Sequence, residues 1–236
     1  RDSSQSRGLG DVYKRQGLIN YSERDFSSRG VMDSHLERQD EIFTPEVVKA
    51  FNDAGLLRRV VTQIWNRDGV FRNGIIFEYE DGDAFIACQD LLKVHYIPEV
   101  EMYNTKVVGS RGVVTHEFRT DAKANEEPAL INYSTREFGT RGEMENHMKR
   151  QDEIFTPDVQ AAFGEAGLLR RVVTQIWNRE GLFQNGIIFE YADGDAFIAC
   201  QDLLKRHYIP KIEMYKTKVV GSRGVIVHEI KREDYE

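Results

Sequence analysis

Six histidines are the side chains of this 236-residue chain best suited to proton chemistry, and they form three equivalent pairs: His35/His147, His95/His207 and His116/His228. An imidazole that titrates near neutrality can act as general acid or base. His35 falls on an apolar helical face with Met32, Leu36, Gln39 and Ile42, where it is either a satisfied core histidine or a pocket-facing base; His116 alternates with Val114 and Phe118 along a strand. His95 and His207 belong to the last turn of a helix, where an imidazole can cap carbonyls. Asn20, Ser22 and Arg24, with Asn132, Ser134 and Arg136 in the second copy, put a polar row between Leu18 and Phe26. Such a row suits a barrel lining that binds a polar ligand, or else it forms an ion pair with Glu78 of the third strand or is simply exposed. Trp65 beside Gln63, and Tyr79 beside Phe77 (Trp177 and Tyr191 in the second copy), are core aromatics or the wall of a ligand pocket. The residues to test as catalytic are therefore His35, His147, His116, His228, Arg24 and Arg136. Within a repeat no histidines show HxH or HxxxH spacing, so no metal site is expected.

The pairing arises from a duplication. AGLLRRVVTQIWNR occurs at 54–67 and again at 166–179, and the match continues without a gap from Leu18–Phe118 to Leu130–Ile230 at an offset of 112 residues. The expected organisation is a first repeat over 17–118, a polar linker over 119–128 and a second repeat over 129–232. Residues 1–16 have no counterpart and resemble a translated sequencing-adapter scar, which would leave the true N-terminus missing.

Each repeat reads as strand, helix, strand, strand, helix, strand. Leu18–Phe26 alternates; 29–43 changes to helical spacing; Thr44-Pro45 breaks that helix and opens another that Gly55 closes. A β-branched run from Leu57 and the stretch Phe71–Glu80 form a hairpin around Asp68-Gly69. Asp83 is placed to cap the second helix, which should end near Tyr96 just before Pro98. Val107–Phe118 is the last strand, with a bulge expected at Gly109–Gly112.

That order is the ferredoxin-like β-α-β-β-α-β unit, and two such units in one chain resemble the dimeric α+β barrel superfamily as a fused pseudo-dimer. The resemblance implies an α+β fold in which two sheets pack together as a barrel; a small-molecule binder of this kind is expected to have one pocket per repeat, inside or at the mouth of the barrel. It also implies a function among cofactor-free monooxygenases, small lyases and cyclases, heme-dependent or heme-degrading enzymes, or non-catalytic stress-response barrels. Heme-degrading members carry an Asn on the first strand and a heme-ligating His on the second helix, which Asn20/Asn132 and His95/His207 match. They place a Trp on the third strand, where this chain has Tyr79.

Composition narrows the partners. The net charge is −7, with the first sixteen residues themselves basic, which argues against a nucleic-acid partner. No apolar run approaches the length of a membrane helix. Cys88 and Cys200, one per repeat, cannot build a disulfide framework and suit a reducing intracellular compartment. The expectation is a small-molecule ligand and no resident cofactor, with heme as the alternative.

Overall fold

The computed structural model describes residues 16–66, 68–121 and 126–232. Most of the scar-like segment and part of the linker fall outside those residues. The element order is β1 (Leu18–Phe26), α1 (Arg29–Glu37), α2 (Gln39–Ile42), α3 (Pro45–Asp53), β2 (Leu56–Ile64), β3 (Phe71–Tyr79), α4 (Gly82–Leu91), a π-helical turn (Leu92–Tyr96), α5 (Ile97–Val100) and β4 (Lys106–Arg119). The second copy repeats it as β5 (Leu130–Phe138), α6 (Arg141–Lys149), α7 (Gln151–Ile154), α8 (Pro157–Glu165), β6 (Leu168–Ile176), β7 (Phe183–Tyr191), α9 (Gly194–Leu203), a π-helical turn (Leu204–Tyr208), α10 (Ile209–Ile212) and β8 (Lys218–Lys231). The hydrogen-bonded strand order, β1-β3-β2-β8-β5-β7-β6-β4, is a closed barrel, as the α+β reading requires.

Two compact units emerge, one of 1–113 with 227–236 and one of 114–226. Their limits differ from the sequence repeats in one respect. Each repeat's last strand begins in its own unit and ends in the other, so His116 and His228 each join the unit built by the opposite repeat.

Local chemistry explains the elements. Ser28 and Thr44 accept backbone N–H bonds at the starts of α1 and α3, and Pro45 sits where no donor is needed. Gly55 takes φ +94° and closes α3. Three details differ from the sequence reading. Asp81, not Asp83, caps α4. Pro98 does not follow the helix end but lies in the first turn of α5, reached through the π-helical turn. The bulge lies not in β4, which pairs with β1 in unbroken register, but in β2 between Leu56 and Arg58, with the same shift in β6 between Leu168 and Arg170.

In the first unit the core lies between the helices and one sheet face. Leu18, Leu56, Val61, Ile75, Phe77 and Tyr79 meet Phe43, Val48, Phe51, Phe85 and Cys88 there. Full burial of a side chain such as Phe51 contributes about 2 kcal/mol. The second unit repeats this with Leu130, Leu168, Val173, Phe189 and Tyr191 against Phe155, Phe163 and Cys200.

Both cysteines are free and buried, each thiol facing helix-end carbonyls (Cys88 Sγ to Phe51 O, 3.8 Å). Burial pushes both thiols up to about 12, so almost no thiolate forms at neutral pH. Native protein is therefore expected to leave both unmodified by iodoacetamide at pH 7.5 over hours and to react at both after unfolding. Stoichiometric labelling of the native chain, read by mass spectrometry, would contradict this burial.

Candidate functional site

The sequence row Asn20, Ser22, Arg24 does not belong to a lining face away from the helices. In the register Asn20 opposes Phe77 and Arg24 opposes Asn73, on the face the helices cover. Nor does Arg24 pair with Glu78. Glu78 stands on the opposite face, where it and Glu229 neutralise Arg58 (3.3 and 2.5 Å). Arg170 is matched likewise by Glu190 and Glu117 (3.0 and 2.8 Å). The neighbouring Arg59 and Arg171 point to the helix side, because the bulge at Leu57 moves the alternation by one residue.

There a buried polar network forms around His35. Its Nε2 lies 3.1 Å from the Tyr96 Oη and its Nδ1 lies 3.3 Å from the Asn73 amide nitrogen. Amide nitrogens face both ring nitrogens, Asn73 at Nδ1 and Gln39 at Nε2 (3.5 Å). Gln39, one turn after His35, donates to the His35 carbonyl (2.7 Å) and accepts from Arg59 Nη2. Arg59 is fully buried and stacks 4.0 Å over Phe43, with Phe77 and Tyr96 further off. Arg24 stands 5.7 Å over the same Tyr96 ring, and its Nη1 donates to Thr105 (2.6 Å). Phe26 and Tyr103 pack on the imidazole at 5.0 and 5.5 Å.

The second unit reproduces the network atom for atom. His147 bonds Tyr208 (2.9 Å) and Asn185 (3.1 Å), Gln151 bridges to Arg171, and Arg136 donates to Thr217 (2.6 Å).

The electrostatics follow from burial and from charge. Burial first, then Arg24 and Arg59, brings His35 down to about 3; burial, then Arg136 and Arg171, does the same to His147. Both rings are neutral at pH 7. Burial lowers Arg59 and Arg171 to about 10, with Tyr96 and Tyr208 opposing the shift, so both stay cationic. Among the described residues no carboxylate reaches Arg24, Arg59, Arg136 or Arg171. The nearest approach is indirect: Arg59 Nη1 donates to His228 Nδ1 (3.3 Å), whose Nε2 faces the exposed Asp40 (3.2 Å). His228 is held down to about 4, by burial and then by Arg59. His116 lies near Asp152 and Arg171 in the second unit, its Nδ1 3.1 Å from Thr115 Oγ1.

Of the residues singled out in the sequence, the structure brings together His35, Arg24 and His228 in one unit and His147, Arg136 and His116 in the other. Asn20 and Asn132 share the helix-covered face, but neither hydrogen-bonds into the network. Tyr79 and Tyr191 are core, stacked on Phe77 and Phe189. Trp65 and Trp177 follow the strand ends and are about half exposed, so they do not wall the cluster. Sequence reasoning missed Arg59, Gln39, Asn73 and Tyr96 and their counterparts; the available signal was Gln39 one helical turn from His35.

His95 and His207 do not join the network. Each is part-buried on the π-helical turn, and neither ring makes a hydrogen bond among the described residues. A ligating histidine ordinarily has its second nitrogen held by a carbonyl or carboxylate. Among the described residues no protein group holds either ring, which leaves that place to water on these part-exposed turns.

A family described as "Domain of unknown function (DUF6974)" matches residues 15–114 and again 127–226. The chain belongs to this family. No curated protein matches it in sequence. Among solved structures, an anthrone oxidase-like protein is similar at TM-score 0.62 and 10% identity, covering 94% of this chain and 95% of that one. A heme-binding protein from Thermus thermophilus matches at TM-score 0.54 and 9% identity, with 92% of each chain covered. A dimeric ferredoxin-like protein from an uncultured marine organism has 27% identity and a TM-score of 0.41 over 43% of this chain and 97% of its own. The full-length likenesses show the fold of the DUF6974 chain. No helix among the described residues is long and apolar enough to cross a membrane.

Proposed function

We propose that each DUF6974 unit binds one small, largely aromatic molecule on its helix-covered face and acts on it by cofactor-free proton transfer or oxygen chemistry. The supporting observation is the network itself: five polar side chains (His35, Gln39, Arg59, Asn73 and Tyr96) meeting inside an apolar core, with the same atoms paired in the second unit. Buried polar groups in a purely structural cluster satisfy one another. Here Arg59 Nε, Arg24 Nε and Asn73 Oδ1 have no partner, and neither do Arg171 Nε, Arg136 Nε and Asn185 Oδ1.

The roles differ from those the histidines suggest by type. An imidazole held near 3 is a weak base, so His35 serves as a neutral hydrogen-bonding group that positions Tyr96, which is the group placed to exchange a proton with a ligand. The guanidinium groups lower the cost of ionising an enol or phenol beside them. His228 and His116 sit at the outer edge, each between an arginine and an exposed aspartate.

Anthrone is a suitable test substrate because it ionises to an aromatic enolate. Its oxidation to anthraquinone consumes one O2 and releases one water. Purified protein is expected to consume oxygen with anthrone and form anthraquinone, and the Tyr96→Phe/Tyr208→Phe double variant to be slower by tenfold or more. If anthrone gives no oxygen uptake and leaves the His35 and His147 imidazole NMR signals unmoved, the alternative of a non-catalytic barrel protein replaces this reading.

A further inference from the structure

Among the described residues no carboxylate balances the two arginines of each network. Arg58 and Arg59 are adjacent in sequence and both lie inside the fold, yet Arg58 has two carboxylates and Arg59 has none among the described residues within ion-pair distance. A buried cation without a counter-charge is among the costliest arrangements a fold can hold. Its retention, twice, together with a second cation over the same tyrosine ring, needs an explanation beyond packing. Asp40 does not provide one, since its side chain is 91% exposed and stands one imidazole away from Arg59.

The open donors define what is missing. Two guanidinium Nε–H donors, from Arg59 and Arg24, are buried and unpaired. Arg171 and Arg136 leave the same two donors open in the second unit. Both guanidinium groups of the first unit stand 5.6–5.7 Å from the Tyr96 ring centre, so both act on one locus. Phe26, Phe43 and Tyr103 make the rest of that locus apolar.

We propose that each network is a receptor for the anionic oxygen of a small aromatic acid, a carboxylate or an enolate, with Arg59 and Arg24 in the first unit and Arg171 and Arg136 in the second as its counter-charges. This rests on the small-molecule reading above and specifies its ligand class. Charge-assisted bonds from guanidinium nitrogens to an oxyanion are about twice as strong as neutral ones, and the surrounding rings select an aromatic body. A bound anion would also offset the repulsion that Arg24 and Arg59 exert on His35, so binding should be accompanied by proton uptake in mildly acidic solution.

The probe is benzoate, with benzamide as its neutral isostere. Isothermal titration calorimetry of the full chain is expected to show benzoate binding at two sites, benzamide binding at least tenfold more weakly, and, near pH 5, a buffer-dependent heat reporting proton uptake. Arg24→Met/Arg136→Met should weaken benzoate at least tenfold with little change in melting temperature. Arg59→Met/Arg171→Met should abolish it. Should that second pair fail to fold, the Arg24/Arg136 pair and the wild-type benzoate–benzamide ratio decide alone. Arg72→Gln, on the opposite face with Glu23 and Asp25, should bind as wild type does. Equal affinity for benzamide, undiminished binding by the Arg24/Arg136 variant, or no benzoate binding up to millimolar concentration would overturn the proposal. The two readings fail separately: anthrone turnover without benzoate binding removes only the anion receptor, and benzoate binding without turnover removes only the oxygenation chemistry.

Discussion

Acidifying the protein from pH 7 to pH 4.5 is expected to lower its unfolding free energy by about 2–3 kcal/mol for each of His35 and His147. The sign follows from the direction of the shift. An unfolded histidine binds its proton near 6.5, whereas the folded rings resist protonation down to about 3. Between those values the unfolded chain holds more protons, so the stability contributed by the neutral rings is fully present above about 6.5 and is lost as pH falls towards 3. His35 is enclosed by Arg24 and Arg59, Asn73, Tyr96, Gln39, Phe26 and Tyr103, and none of these carries a negative charge that could stabilise the imidazolium. His228, held to about 4, adds a third contribution of the same sign. Urea midpoints measured across this range will show the decline, and His35→Met/His147→Met should flatten it. A midpoint that does not move between pH 7 and 4.5 would mean that the rings are not buried as neutral groups.

Gly55→Ala is expected to cost about 2–4 kcal/mol, and Gly167→Ala a similar amount, since both combine a forbidden backbone with a clash. Gly55 has φ +94°, and a Cβ built there would lie 2.5 Å from Ala84 Cβ, an atom fixed by the helix it belongs to. Gly167 has φ +93° and meets Ala196 Cβ at the same distance. Neither neighbour can swing aside as the end of a long side chain could. The carbonyl of Gly55 also accepts from Glu80 N, so a backbone shift that relieved the clash would loosen the end of β3. Gly30→Ala provides the contrast. Its Cβ would meet nothing within 4 Å inside α1, so the change should be neutral or stabilising by up to about 1 kcal/mol. Thermal or urea unfolding of the three variants checks the ordering. A Gly55→Ala protein as stable as wild type would show that this turn is not held as described.

The duplication, the element order within each copy and, through them, the closed α+β barrel were legible in the residues alone. Strand period, helix period, the Thr44-Pro45 break and the glycine after α3 are local signals, and local sterics and capping decide such elements wherever they sit in space. Why His35 and Gln39 lie one above the other on a buried face was also legible, because helical spacing fixes that regardless of the fold.

Which face of the sheet carries the buried polar network, and which arginine enters it, follows from the three-dimensional packing alone. The polar row from Asn20 to Arg24 reads the same whether it points to the helices or away from them, since strand alternation separates two faces without saying which one is covered. The Arg58–Arg59 pair turns on a bulge at Leu57. One extra residue exchanges the faces of everything after it, and it leaves no more mark in the sequence than a leucine beside another leucine. The assignment of His228 to the first unit and His116 to the second depends on where long strands run after leaving their own unit. That pairing is set between segments over a hundred residues apart, beyond the reach of any local pattern.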